Sequence, residues 1–238
     1  MAESTLKTGA QTYSSAIETA DNYARWVLST FVPNYGQRLL EVGLGHGGYR
    51  RLLPPTIDYI GLDIDPDSVN QARAHYPTDT YLQADITDPG LTALLAPREI
   101  DTVLCINVLE HIEQDAAAVQ NLLSALVPGG SLLILVPAFQ SLYSDLDQMA
   151  GHVRRYTLRD VSRINGAGGI VVKARYFNAI GGIGWWLNKA LRHTSLNSGA
   201  INQQILFFDR FVVPIARVVD RVSRSFFGQS MICVIRKV

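Results

Sequence analysis

The chain has 238 residues, is 47% hydrophobic, and sets 21 basic side chains against 21 acidic ones. That length and apolar content suit one large α/β domain. A net charge of zero argues against nucleic acid as a partner, because phosphate neutralisation needs a basic surface.

In chain order, Met1 to Gln11 is polar and lacks an apolar core, so no secretory signal is expected and a cytoplasmic location follows. Residues 12–33 read as a helix whose apolar stripe uses Ile17, Tyr23, Trp26, Val27 and Phe31, placed to lie over a cleft as a lid. Strands are expected near 38–43, 57–62, 80–84, 101–106 and 131–136, and helices near 47–53, 67–74, 90–96 and 113–126. Such alternation predicts a doubly wound parallel sheet covered by helices on both faces. Runs such as Leu132 to Val136 fit strands buried on both sides, with Pro128-Gly129-Gly130 as a turn before the last of them. Cys105 and Cys233 fall inside apolar runs and read as small core residues, not disulfide partners.

The first strand ends in Leu39-Leu-Glu-Val-Gly-Leu-Gly-His-Gly47. Gly43, Gly45 and Gly47 allow a sharp turn and a close ligand approach, and Tyr49 to Leu53 reads as the first turns of a helix with free N–H groups. Twenty residues after Gly43, Ile60-Gly-Leu-Asp-Ile64 ends a second strand in an acid, the offset at which a nucleotide-binding α/β domain grips ribose hydroxyls. Glu41, inside the strand, would repel a pyrophosphate but suits a ligand with an ammonium group. S-adenosylmethionine (SAM) is such a ligand. Gly43, Asp63, Asp85 and Asn107 should all converge at the carboxyl ends of the strands.

At these residues the sequence resembles the class I SAM-dependent methyltransferases. The likeness continues through Gln83-Ala-Asp-Ile-Thr-Asp88, Asp101 to Ile112 and Val127 to Pro137. It implies SAM as cofactor and a seven-stranded Rossmann-like sheet. It also implies SAM contacts at Tyr23, Glu41, Gly43, Gly45, Gly47, Asp63, Ile64, Asp85, Ile86 and Asn107. Further on, Gly151-His-Val-Arg-Arg-Tyr-Thr157, an aromatic segment with Gly184-Trp-Trp186, and Phe227-Gly-Gln-Ser230 are similar to a bacterial subgroup of that family. In that light 169–177 and 230–237 are the closing strands, the last one antiparallel. The chain is then a single domain over 1–238: an N-terminal helical lid (1–36), a SAM-binding core (37–178), a helical insertion (179–227) and a last strand (228–238).

Segment 143–157 packs one His, two Arg, two Tyr and two Asp onto the rim expected for the cleft. Thr157 reads as an N-cap boxed by Asp160. His152 is a general-base candidate, its ordinary pKa of about 6.5 suiting proton removal near neutrality, or else it makes a structural hydrogen bond to one of the nearby Asp residues. Tyr156 and Tyr176 join it as catalytic candidates. His111, Arg154, Arg155 and Trp185 are candidates for binding substrate, the arginines by gripping an anion bidentately or else by pairing with Asp145 and Asp147. Aromatic faces at Tyr156, Tyr176 and Trp185 can attract a sulfonium. Glu110 and His111 have no further ligand at metal-binding spacing, so no metal is assigned and the pair is read as anchoring the loop under the methionine end of SAM.

The run Ile205 to Val219 is too short and too interrupted for a transmembrane segment, which needs about 20 mainly apolar residues. The 180–226 insertion is read as a lid or homodimer face rather than a membrane contact, since its polar face lacks Lys/Arg richness. Three functions stay open: methyl transfer to a small-molecule substrate; conversion of SAM alone to azetidine-2-carboxylate and methylthioadenosine; and a non-catalytic SAM-binding subunit.

Overall fold

The computed structural model describes residues 14–45, 47–166, 168–189, 195–196 and 199–238. Seven strands form one sheet: β1 (Arg38–Val42), β2 (Asp58–Asp63), β3 (Thr80–Gln83), β4 (Ile100–Ile106), β5 (Leu126–Pro137), β6 (Gly169–Phe177) and β7 (Ser230–Lys237). Their order is β3-β2-β1-β4-β5-β7-β6, and β7 runs antiparallel to both β5 and β6. The first strand therefore sits between β2 and β4, and the chain reverses its direction of travel across the sheet there. That reversal opens a crevice at the carboxyl edge between β1 and β4.

Alternation along the strands supplies two cores. Leu40, Val42, Val103, Cys105, Leu132 and Ile134 face one way, onto Val119, Leu122 and Leu123 of α4 (Asp115–Ala125). Leu39, Tyr59, Leu104, Leu133 and Val234 face the other way, onto Trp26 and Val27 of α1 (Asp21–Ser29) and Val69 of α2 (Pro66–His75). Both cysteines are free and buried, as expected. Caps follow the sequence: Asp65 accepts the Ser68 N–H at 3.1 Å with Pro66 opening α2, and Asp160 accepts the Thr157 N–H at 2.8 Å. Of the remaining helices, α3 (Leu91–Leu95) and α6 (Val161–Asn165) are short, whereas α5 (Asp145–Ala150) carries side chains of the site.

Three expectations need correction. The segment after the glycine loop is a turn with a 3-10 stretch at Arg50–Leu52, not an α-helix, because Pro54-Pro55 stops a run too short to propagate. The N-terminal helix is broken at Ala20 into a 3-10 turn (Ser15–Thr19) and α1, while residues 12 and 13 lie outside the described residues. Pro128-Gly129-Gly130 falls within β5 as a bulge: Ile100 pairs with Leu126 and Thr102 already with Ser131.

The insertion is helical: α7 (Ala179–Asn188), α8 (Gly199–Phe207), a π-turn (Phe208–Val212) and α9 (Val213–Ser223). Val213 and Ala216 of α9 pack on the sheet, whereas Trp186, Phe207, Phe211 and Val222 are exposed. Asp209 of the π-turn is buried and accepts the backbone N–H of Tyr23 at 2.7 Å and of Asn22 at 3.4 Å, which caps α1. No described helix is long and apolar enough to cross a membrane.

Candidate active site

The β1–β2 side of the crevice is built from backbone. Gly43, Gly45 and Gly47 all adopt left-handed φ, at 68°, 50° and 74°. At Gly43 a Cβ would also stand 2.4 Å from Val108 Cγ2, so both conformation and space demand glycine. Asp63 receives the Gly45 N–H on Oδ2 at 3.0 Å and the Asp65 N–H on Oδ1 at 2.9 Å. Its partial burial raises the carboxyl above the usual range, against the pull of these donors. Each oxygen keeps a lone pair for a ligand hydroxyl. Ile64 is partly exposed beside it and Ile86 is buried. Asp85 is exposed, and its Oδ1 accepts the Thr87 N–H at 2.8 Å as in an Asx-turn. Asn107 follows β4 in the left-handed region with φ 53°.

Glu41 behaves differently from its neighbours in sequence. It lies under the glycine loop, 3% exposed, where its Oε2 accepts the Tyr59 hydroxyl at 2.7 Å. Burial pushes its carboxyl up to about 8. The structure thus does not bring Glu41 to the rim. Tyr23 is on the carboxyl edge beside Ser230 and Asn178, with burial raising its phenol to about 12.

The β4–β5 side is built from charged side chains. Glu110 and His111 stand on a short turn (Leu109–His111) after β4, and His152 follows α5. Ser144 and Asp147 form a capping box that starts α5, and Gly151 closes it at φ 84°. The His152 Nδ1 lies 2.8 Å from Asp147 Oδ1, and Arg155 grips the same carboxylate through Nε at 2.8 Å and Nη2 at 2.9 Å. Burial would raise Asp147, but the His152 and Arg155 hydrogen bonds outweigh it and hold the carboxyl low. His111 and His152 meet edge to face with ring centroids 4.8 Å apart, and His152 Nε2 is 3.9 Å from Glu110 Oε1. Glu110 is fully buried, and neither of its carboxylate oxygens has a hydrogen-bond donor among the described residues. Burial pushes Glu110 up to about 7 and His111 down to about 4.

The other predicted residues fall into place around this cluster. Arg155 is buried under Trp185, its guanidinium carbon 5.0 Å from the ring centroid, so it positions Asp147 and does not reach for a substrate anion. Arg154 pairs with Asp115 at 2.9 Å instead of Asp145 or Asp147. Tyr156 is fully buried, its hydroxyl 2.9 Å from Asp115 Oδ2 and 3.0 Å from the Leu109 carbonyl, a position that fastens the β4 turn and is closed to a ligand. Tyr176 stacks on Phe139 at 4.5 Å, and Phe139 on Phe227 at 5.3 Å. Sequence reasoning missed Phe139, whose φ of 59° is strained for an aromatic residue. The expected partner of His152 among the nearby acids is Asp147, at the start of α5.

Comparison with known proteins agrees with this architecture. The sequence model described as a methyltransferase domain matches residues 40–134. A ubiquinone biosynthesis O-methyltransferase of Xylella fastidiosa (strain 9a5c) is 32% identical over 110 residues, 45% of this chain and 44% of that one. A probable S-adenosylmethionine-dependent methyltransferase of Mycolicibacterium smegmatis is 34% identical over 104 residues, 43% of this chain and 38% of that one. The chain spans less than half the length of the curated relatives it matches. A crystal structure of an S-adenosylmethionine-dependent methyltransferase from Mesorhizobium loti superposes with a TM-score of 0.61 at 18% identity, over 92% of this chain and all of that one. The N-methyltransferase NodS of Bradyrhizobium japonicum WM9, crystallised with S-adenosyl-L-homocysteine, gives 0.54 at 14% identity, over 91% and 86%. The architecture is that of the class I S-adenosylmethionine-dependent methyltransferases, and residues 40–134 fit the methyltransferase-domain model.

Proposed function

We propose that the chain transfers a methyl group from SAM to a hydroxyl of a small molecule. The observation that carries this reading is the pairing, on one carboxyl edge, of a left-handed glycine turn backed by Asp63 with the Asp147–His152 pair. The residues present suit an adenosyl ligand: the glycines bring bare backbone to the crevice, and Asp63 keeps lone pairs for ribose hydroxyls. When bound, SAM supplies a sulfonium methyl: as the acceptor oxygen forms its C–O bond, the C–S bond breaks and the electron pair stays on sulfur, leaving S-adenosylhomocysteine.

The protein's own contribution is alignment and proton removal. Alignment of nucleophile, carbon and sulfur is worth roughly 7–11 kcal/mol in well-oriented systems. Asp147 holds the proton on His152 Nδ1, so Nε2 is the free acceptor for the hydroxyl proton. Phe139 after β5, Tyr176 at the end of β6 and Phe227 before β7 form an apolar stack, which suits a substrate with an aromatic or aliphatic body. The name of the Xylella relative supports transfer to oxygen, and the matched domain's description supports methyl transfer. The cyclisation of SAM alone is not carried forward, because several aromatics of the insertion that motivated it point outward at Trp186, Phe207 and Phe211.

The test is incubation with SAM and a panel of hydroxylated aromatic and prenylated compounds, read by mass spectrometry. One acceptor should gain a methylene's mass with equimolar S-adenosylhomocysteine, and His152→Ala should lose that product while binding S-adenosylhomocysteine normally. Absence of S-adenosylhomocysteine binding by calorimetry in the unmodified protein would overturn the reading.

A further inference from the structure

Glu110 is the least satisfied carboxylate among the described residues. A carboxylate removed from water without a donor is costly, and native proteins keep such a group only when something answers it. Glu110 is fully buried with both oxygens unpartnered among the described residues. Beside it stand two half-buried imidazoles, and one ligand atom from each of Glu110, His111 and His152 lies within 4.8 Å of the others. Two neutral histidines and one carboxylate are a set that binds first-row divalent ions while leaving coordination positions open.

The surroundings have the features of a metal centre's outer layer. A metal-bound imidazole commonly donates its other ring N–H to a carboxylate, which fixes the tautomer and raises ligand basicity. His152 makes this bond to Asp147 at 2.8 Å, leaving Nε2, the nitrogen facing Glu110, as the free donor atom. Asp147 is itself fixed by Arg155 from the opposite side. The backbone adds rigidity: the Val153 N–H binds the Glu110 carbonyl at 2.8 Å, so the ligands after β4 and after α5 are tied together. Ligand atoms around a tetrahedral ion stand about 3.4 Å apart, so closing onto a metal asks for movement of about an ångström.

We infer that Glu110, His111 and His152 bind a divalent transition ion such as zinc, whose open positions take the acceptor hydroxyl. This deepens the proposed methyl transfer and rests on it for the identity of the bound oxygen. Coordination would lower the hydroxyl's pKa. In the loaded protein His152 then holds the ion that acidifies the acceptor, and the proton leaves to solvent.

The experiment uses full-length protein stripped with a chelator and titrated with Co2+ and Zn2+, followed by calorimetry and by the visible absorption of bound Co2+. We expect one ion per chain and a Co2+ spectrum of low symmetry. His111→Ala and His152→Ala should each weaken binding by about 100-fold or more, since even outer-layer changes cost 10–100-fold. Glu110→Gln should do the same, and circular dichroism with S-adenosylhomocysteine titration checks that each variant is folded. If Glu110→Gln fails to fold, the two histidine variants alone decide. Failure to bind either ion, or binding that survives both histidine changes, overturns the metal centre. Retained S-adenosylhomocysteine binding in that case leaves the methyl-transfer reading standing, with His152 acting directly as base.

Discussion

The two halves of the carboxyl edge are made by opposite means. The β1–β2 half presents backbone: three left-handed glycines and an aspartate that spends half its lone pairs on the N–H groups of Gly45 and Asp65. The β4–β5 half presents charge, held by a chain of contacts from Trp185 through Arg155 and Asp147 to His152. Backbone geometry makes a site that tolerates few residue types but needs little support. A charged cluster tolerates more types but depends on every partner in the chain. The first suits a constant ligand, the second a variable one.

Substitutions can break this contrast or sharpen it. The largest effect is expected at Arg155→Ala, which leaves Asp147 buried without its bidentate partner. Removing one member of a buried pair costs about 3–5 kcal/mol, so thermal and urea unfolding should show a marked loss. Affinity for S-adenosylhomocysteine, measured at a temperature where the variant is folded, should stay near that of the parent. A parallel loss of both would show that the halves are not independent. Gly43→Ala reverses the pattern. Left-handed strain and the approach to Val108 together cost about 2–4 kcal/mol, and S-adenosylhomocysteine affinity should fall by more than tenfold. His152-side chemistry, followed by Co2+ binding, should survive that change.

Asp63→Asn comes next. Its amide keeps one acceptor oxygen where two N–H groups need them, and hydrogen bonds to a charged group are worth about 1.5–3 kcal/mol. Calorimetry should show S-adenosylhomocysteine affinity reduced about 10- to 100-fold. The smallest effect is a pH dependence centred on Asp115. Burial opposes its ionisation, but hydrogen bonds from Arg163, Tyr156 and Arg154 outweigh burial and lower the carboxyl to about 2. A depressed folded-state pKa stabilises above the usual value of 3.8 and loses that contribution as pH falls toward 2. Urea midpoints measured from pH 6 to pH 2.5 should therefore decline less steeply in Asp115→Asn than in the parent.

What could be read in the sequence divides along the same line. Gly43, Gly45 and Asp63 are legible because the turn, its preceding strand and the acid fall within twenty-odd residues, and each has a local physical reason to be there. Strand bounds at 169–177 and 230–237 match the structure for a different reason: the resemblance to the family implies where the closing strands fall. The charged half is not legible in the same way. Glu110 and His111 are adjacent, but His152 reaches them only because β4 and β5 are neighbours in the sheet. For Arg155 the sequence leaves substrate binding and pairing with Asp147 both open, and for Tyr156 it points to the cleft, because density of polar residues on a rim does not reveal which way each side chain turns. Glu41 shows the converse: the motif is local and correct, yet strand alternation sends its side chain to the Tyr59 face.

The cap on α1 has a consequence for the order in which the chain is assembled. At nine residues α1 is shorter than the 12–15 or so that an isolated helix needs in water. Its free N–H groups are answered by Asp209, 187 and 186 residues further along. During synthesis the segment carrying Tyr23 therefore emerges before Asp209, and its cap can form only after the π-turn has been made. The first five strands can pair before that cover is secured, whereas β7, which follows the π-turn in the chain, joins β5 and β6 later still.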